Sequence, residues 1–520
     1  MKATNLKKPV HQQPQPADAK WLNSAPQMLL KKAGIFTCFF YLAISGFTQN
    51  GHDWPSNIQH RQAYRNTLRL QLKEARLVLS SEDPASGYIL SLGETLEVLL
   101  TENKTTMEAY EVLFEKRLLQ LEQLDRSAEV MFVLAEMRLQ WAFVYLKFGQ
   151  EFDAAWQVRQ AYITAEACTR KFPDFLPIKK TTGLLHLMLG AVPDKYGWLL
   201  SLLHMEGTVS EGLQHLREVE AQCPELATEA TVITALAKGF LFQQTEQSLR
   251  ELTTLAEIDP ENPILLFLAS LVAVKNSTSE IALALLTQLN GTASGIPLTY
   301  SYYVAGEVHL QRGDYGQAIA HYQMFVRKYA GENYIKDAQY KTAICYWLQG
   351  NPSKALDYQG RAKNSGREAA EADRYAVQSL QDPFPVPQLA KLRYATDGGY
   401  YSRAEELILS TRPDDLPMAK DRVEFDYRKA RLYHKTNRIA EAKTNYLVTI
   451  DQSEDEPWYF APNACLQLGY IAEAEGRLKE AEMYYELALG YKRHAYKNSI
   501  DSKARSALHQ LKKKQIKPVK

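Results

Sequence analysis

The sequence predicts an all-α protein, a right-handed superhelical solenoid of stacked helical hairpins, and two observations lead there. Apolar residues recur at helical spacing along the chain, and no stretch of strand period competes with them. A fixed register also repeats. In Tyr302-Tyr303-Val-Ala-Gly306 … Gly313-Asp-Tyr315 … Ala318 … Tyr322, a small residue lies mid-way along a first helix, a glycine follows 7 positions later and a second small residue 12 positions later. The offsets 7 and 12 return at Ala142, Gly149 and Ala154; at Ala343, Gly350 and Ala355; at Ala430, Asn437 and Ala442; and at Gly469, Gly476 and Ala481. Small residues let two helix axes approach closely, so Gly306 and Ala318 mark a crossing. Gly313 and its counterparts supply the left-handed backbone that stops the first helix, and asparagine is the next residue most tolerant of it.

Length agrees with this architecture. A chain of 520 residues exceeds what one globular core usually holds, whereas a solenoid grows by adding units. Lys and Arg number 61 against 60 Asp and Glu, a net charge of +1 that gives no general attraction for nucleic acid. The basic run Lys512, Lys513, Lys514, Lys517 and Lys520 reads as the solvated end of a last helix. Five cysteines, Cys38, Cys168, Cys223, Cys345 and Cys465, show neither CxxC nor Cys/His spacing, so no zinc site follows, and disulfide pairing stays open.

Taken in order, residues 1–27 form a polar segment that we expect to lie upstream of the true start, Met28. Residues 28–48 have the pattern of a signal peptide: Lys31-Lys32 precede a short apolar run from Ala33 to Phe47, with Ala43-Ile44-Ser45 at cleavage spacing. The expected location is extracytoplasmic, periplasmic or secreted after cleavage; the alternative is an uncleaved anchor at residues 33–48. Residues 50–125 are helical with a weak register and are expected to be degenerate N-terminal hairpins, since terminal repeats are atypical. Residues 126–363 form the main solenoid. Asn364 to Pro387, charged and then proline-rich, reads as an insertion or linker with a short helix, the place for a hinge. Residues 388–520 resume the repeats and end in a capping helix from Ser499 to Leu511.

The repeated register resembles the tetratricopeptide repeat. The last copy is nearest to it, with Leu468-Gly469 before the turn and then Ala481, Tyr485 and Ala488. Gly183-Leu-Leu-His-Leu-Met-Leu … Gly212-Leu213-Gln-His-Leu216, and Asp397-Gly398-Gly399-Tyr400-Tyr401 with Ala404, resemble more narrowly the tetratricopeptide repeat protein 39 family, which includes fungal inclusion-body clearance proteins. That resemblance covers the chain from about residue 130 onward and implies a non-enzymatic adaptor.

Chemistry is sparse. The sequence holds no HExxH, GxxxxGK[ST], GxSxG or strand-bound GxGxxG, so no catalytic, cofactor or metal residues are assigned. His186, His204 and His215 lack i, i+4 spacing and read as packing or surface residues. The lysine and asparagine positions of a carboxylate clamp are Tyr303 and Glu307 here, which argues against that mode. The face of each first helix left over after hairpin packing offers Tyr303 and Glu307, then Tyr340, Ile344 and Trp347, then Tyr427, Arg431 and Lys435. We expect these to line a concave groove that takes a protein or peptide, with no nucleic acid and no membrane contact beyond an uncleaved anchor. The expected function is an exported, non-enzymatic scaffold. A constant subunit of an envelope assembly, or an enzyme with no local motif, are the alternatives.

Overall fold

The computed structural model describes residues 54–516 apart from 80–82, 193–199, 202, 293–294, 369, 417 and 455. The polar segment, Met28, the signal-peptide residues and Cys38 lie outside the described residues, as do Lys517 and Lys520. Every regular element among the described residues is helical. Four helices come first: α1 (Ile58–Leu68), α2 (Leu72–Arg76), α3 (Pro84–Thr101) and α4 (Lys104–Glu122). Hairpins then follow one another, each packed against the next: α5 (Ala128–Lys147) with α6 (Glu151–Lys171), α7 (Ile178–Gly190) with α8 (Val209–Gln222), α9 (Pro224–Phe240) with α10 (Thr245–Ile258), and α11 (Pro263–Lys275) with α12 (Ser279–Asn290). The series continues with α13 (Tyr300–Arg312) and α14 (Tyr315–Lys328), then α15 (Ile335–Leu348) and α16 (Pro352–Lys363). After α17 (Glu371–Ser379) come α18 (Pro387–Gly398) with α19 (Tyr401–Ser410), α20 (Ala419–Lys435) with α21 (Ile439–Ser453), α22 (Phe460–Ala474) with α23 (Leu478–Gly490), and α24 (Lys497–Ile516).

The register has the physical cause expected of it. Gly149, Gly313, Gly350, Asn437 and Gly476, the stop positions of the five copies, all have positive φ. At the crossing, a Cβ on Gly306 would lie 2.6 Å from the Tyr322 ring, and one on Gly469 would strike Tyr485. Sixteen residues separate Gly306 from Tyr322, Ala430 from Tyr446 and Gly469 from Tyr485, and all three tyrosines are fully buried. Each hydroxyl finds a partner on the first helix: Tyr322 donates to Glu307, Tyr485 to Glu473 at 2.8 Å, and Tyr446 pairs with His434 at 3.3 Å. A small residue on the first helix thus makes room for the ring, and a polar residue on the same helix satisfies its hydroxyl.

Residues 50–125 depart from the expectation of leading hairpins stacked at the end of the array. Helix α3 instead crosses the first helices of later hairpins. Ser91 donates to Gln140 of α5 at 2.7 Å, and Lys180 of α7 donates to the Tyr88 hydroxyl at 2.8 Å, which in turn donates to Glu229 of α9 at 3.3 Å. Further on, Leu99 and Leu100 line one small pocket with Phe267 of α11 and Tyr300 of α13. Glu102, which ends α3 in the left-handed region, ion-pairs with Lys147 at 2.6 Å and accepts from the Asn333 side chain at 2.6 Å, just before α15. Helix α1 runs alongside, its Arg65 paired with Glu225 at 3.1 Å and its Arg69 with Asp259 at 2.7 Å. The chain's own N-terminal helices therefore lie against the first helices of the leading hairpins and reach as far as the start of α15.

A buried charge cluster pins α3 there. The Lys180 ammonium stands 2.8 Å from Glu229 and 2.9 Å from Glu136, with all three side chains at most 2% exposed. Two ionised carboxylates around one ammonium would leave excess negative charge where desolvation is costly. Burial pushes the Glu229 carboxyl up to about 8, so it keeps its proton at neutral pH.

Residues 364–387 are likewise not a free linker. Buried Asp373 of α17 accepts the backbone N–H groups of Tyr334 at 2.7 Å and Asp337 at 3.0 Å, capping the start of α15. Tyr375 packs on Tyr496 with ring centroids 4.5 Å apart, and Phe384 stacks on Trp347 at 5.0 Å. A hinge here would have to break all of these contacts. At the other end, α24 lays Ile500, Ala504, Ala507 and Leu511 on the last hairpin as a cap. Cys168, Cys223, Cys345 and Cys465 are buried free thiols.

Two predictions follow from these contacts. Ala318→Leu at a fully buried crossing is expected to cost about 1–3 kcal/mol in denaturant unfolding, and exposed Gln317→Leu close to nothing; equal costs would mean a misassigned register. For Glu229, a folded pKa of about 8 against 4.5 for the free side chain means that the native state binds the extra proton between these values. Its contribution to stability is therefore full below the lower value and lost as pH rises through the upper one. The melting temperature is expected to fall from pH 5 to pH 9 more steeply in the parent than in Glu229→Gln.

Candidate ligand groove

The C-terminal hairpins return over the turn ends of earlier ones. Gln243, in the turn after α9, donates to the Tyr470 hydroxyl of α22 at 3.3 Å. In the same way the Tyr400 hydroxyl donates to Glu280 at 2.9 Å, Arg403 donates to the Arg312 carbonyl, and Gly399 lies so close to the Ser277 carbonyl that no Cβ would fit. These contacts bring the end of α11 opposite the first helices α18 and α20 and the cap α24. Between them lies the part of the concave side that α1 and α3 do not cover.

The residues expected to line a groove divide into two sets. Tyr303, Ile344 and Tyr427 are 5%, 1% and 3% exposed, so at these positions the expectation of a surface is corrected to core. The Tyr303 hydroxyl donates to Asp337 at 2.5 Å, and Lys341 reaches Glu307 at 2.6 Å, Asp337 at 3.0 Å and Tyr303 at 3.1 Å. Burial alone would draw Lys341 down, but Asp337 and Glu307 together hold its pKa above the ordinary value. Glu307 is thus spoken for twice, by Lys341 and by Tyr322, in a network that ties α13 to α15. Half-buried Trp347, expected to line the groove, is covered by the segment after α17: its ring lies on Phe384 and its Nε1 donates to the Pro385 carbonyl at 2.9 Å. Tyr340 is half-buried.

Arg431 and Lys435 are the residues that remain open. Arg431, half-buried, donates to Gln467 at 2.7 Å, and Lys435 is exposed. Three residues that the sequence reading did not name join them. Lys275 ends α11 over the Phe240 ring at 5.0 Å, Lys503 projects from α24, and Arg393 of α18 pairs with Asp397 at 3.7 Å. Burial, and then repulsion from Lys503 and Lys435, pulls the Lys275 pKa below the ordinary lysine value, with Glu371 opposing. Lys435 is lowered by burial and then by Arg431, and Lys503 by burial and by Arg431 against Glu371. The signal for Lys275 and Lys503 was weak because neither lies on a copy of the repeated register.

A second cluster, two of whose histidines the sequence assigns to packing or surface, joins α6, α7 and α8. His186 donates from Nε2 to the Glu166 carboxylate at 3.2 Å, its ring lies 5.3 Å from that of His215, and His215 pairs with Thr182 at 2.9 Å. Its groups hold one another across a close helix crossing, where a Cβ on Gly212 would lie 2.7 Å from the Gly183 carbonyl. Among the described residues no group of three His, Cys, Asp or Glu could hold a metal ion, and no helix is long and apolar enough to cross a membrane.

Comparison with known proteins gives matches at two stretches. Residues 303–373 and residues 462–494 each match a family model described as tetratricopeptide repeat. No curated protein matches significantly. Among solved structures, the human IFIT1 dimer with m7Gppp-AAAA is similar at 14% identity and a TM-score of 0.32, covering 88% of this chain and 99% of that one. The apo quorum sensor NprR from B. thuringiensis is similar at 11% identity and 0.29, covering 76% and 98%. The Cut9–Hcn1 hetero-tetramer of the APC/C gives 12% identity and 0.23, covering 86% and 95%. At this level of similarity the three structures do not bear on ligand or activity. The narrower resemblance to the tetratricopeptide repeat protein 39 family has no counterpart among these matches.

Tyr303→Phe is expected to cost about 1–3 kcal/mol in denaturant unfolding, because Asp337 and Lys341 lose a buried partner. Lys435→Ala, at an exposed position, is expected to stay within about 0.5 kcal/mol of the parent. A Tyr303→Phe exchange without cost would mean that the Asp337–Lys341 network does not depend on that hydroxyl.

Proposed function

We propose that this tetratricopeptide repeat protein is a non-enzymatic scaffold that binds a polypeptide partner on the part of its concave side between α11, α18, α20 and α24, and that it acts outside the cytoplasm after losing a leader. The observation that carries the reading is the contrast between the two parts of that concave side. Along the leading hairpins α1 and α3 satisfy polar groups of the first helices from within the chain. Away from α1 and α3, Lys275 at the end of α11, Lys435 of α20 and Lys503 of α24 stay open to solvent. A repeat array that spends part of its groove on its own chain leaves a shorter, defined surface for something else.

A subunit of a constant assembly is the second reading, and the outer surface favours it. Phe152, Trp156 and Ile163 are exposed on one face of α6, as are Val112 and Leu119 on α4.

Site-specific photo-crosslinking separates the two readings. A photoreactive residue at 435 is expected to capture a partner in the native host, whereas capture from position 156 alone would favour the constant assembly. N-terminal sequencing of the protein from fractionated cells is expected to find a start near Gln49; a cytoplasmic protein starting at residue 1 would overturn export.

A further inference from the structure

We infer that the groove between α11, α18, α20 and α24 seats an acidic segment of a partner polypeptide, its carboxylates held by Lys275, Arg393, Arg431, Lys435 and Lys503. This deepens the scaffold reading and rests on it. The five cations come from four helices that are far apart in sequence and are brought together only by the return of the C-terminal hairpins, seen in Gln243–Tyr470 and Tyr400–Glu280. Several other buried or half-buried cations are answered by carboxylates at close range, Lys147 by Glu102, Arg117 by Glu94, Lys180 by Glu136 and Glu229, Lys341 by Glu307 and Asp337, while buried Lys336 is held by the carbonyls of Ala362 and Lys363. No carboxylate among the described residues lies within ion-pair distance of Lys275, Lys435 or Lys503. These lysines are open to solvent, yet protein surrounds them closely enough that each carries a desolvation cost and repels its neighbours. Such an arrangement relaxes when an anion enters.

The chemistry favours carboxylates of a polypeptide over the phosphates of a nucleic acid. Glu371 and Asp397 stand within the cluster, so the positive charge is interrupted, and a chain with a charge at every unit would meet both. A polypeptide can place its carboxylates against the cations and neutral residues against Glu371 and Asp397. Stacking surfaces for bases are also taken up: Tyr375 and Tyr459 both pack on Tyr496, and Trp347 on Phe384.

The test uses the full chain and three fluorescent probes read by anisotropy: an oligo-glutamate peptide, an oligo-glutamine peptide of the same length and single-stranded oligo-dT. The parent is expected to bind oligo-glutamate, more weakly as salt is raised, and to bind oligo-glutamine at least tenfold more weakly. Lys435→Glu with Lys503→Glu is expected to weaken oligo-glutamate binding by roughly tenfold or more. Lys435→Gln alone should weaken it less, with the melting temperature of both variants kept near that of the parent. Oligo-dT binding tighter than oligo-glutamate, or oligo-glutamate binding that the double variant leaves unchanged, would overturn the proposal. If oligo-glutamate fails while a photoreactive residue at 435 still captures a protein, the acidic segment falls and the scaffold stands. If both fail, both readings fall.

Discussion

An ammonium group cannot be buried without an answering charge, and the answer that Lys180 receives decides how this solenoid is divided. Glu136 and Glu229 come from the first helices of the neighbouring hairpins, and the Tyr88 hydroxyl comes from α3. Remove α3, and the cluster opens to water along with Gln140 and Lys147, which lose Ser91 and Glu102 as partners. The N-terminal helices are therefore part of the core of the array. Their presence leaves an open concave surface only where the later hairpins carry the chain past them.

How far this could be read from sequence depends on the distance over which each interaction acts. The hairpin is a local object: a small residue at a crossing, a left-handed stop and a tyrosine sixteen residues on are all set within about 30 residues, and Gly306, Gly313 and Tyr322 show each of them plainly. The placement of α3 depends on contacts such as Tyr88–Glu229 and Glu102–Asn333, which join segments 141 and 231 residues apart. One signal did exist. Between Pro84 and Thr101 the only charged residues are Glu94 and Glu97, and a helix apolar nearly all round belongs inside something.

The candidate surface shows the same limit in finer detail. Register alone separates only coarsely the face of a first helix that meets its own partner from the face that does not, since the Tyr303 ring also packs on Tyr322 and Phe325 of its partner helix α14. The second face is shared between the neighbouring first helix and the groove. Tyr303 and Ile344 fall to the neighbour, Arg431 and Lys435 to the groove, and Trp347 to an inserted segment. Nothing local distinguishes these fates, because they depend on how far each unit is rotated against the next.

The two charge clusters of the protein can be compared on the same physical terms. Around Lys180 the charges are sealed from water and balanced, with a proton held on Glu229 as the adjustment. Around Lys435 water remains, the cations outnumber Glu371 and Asp397, and no proton shift of a carboxylate can offset the excess. Solvent tolerates that imbalance at modest cost because its dielectric response is large. A partner that displaces the water must therefore bring the missing negative charge with it, and a neutral segment of the same shape would raise the cost it was meant to relieve. Electrostatic selection of this kind acts before any close fit is made, which suits a repeat scaffold whose groove is short and whose aromatic residues are already committed to holding the hairpins together.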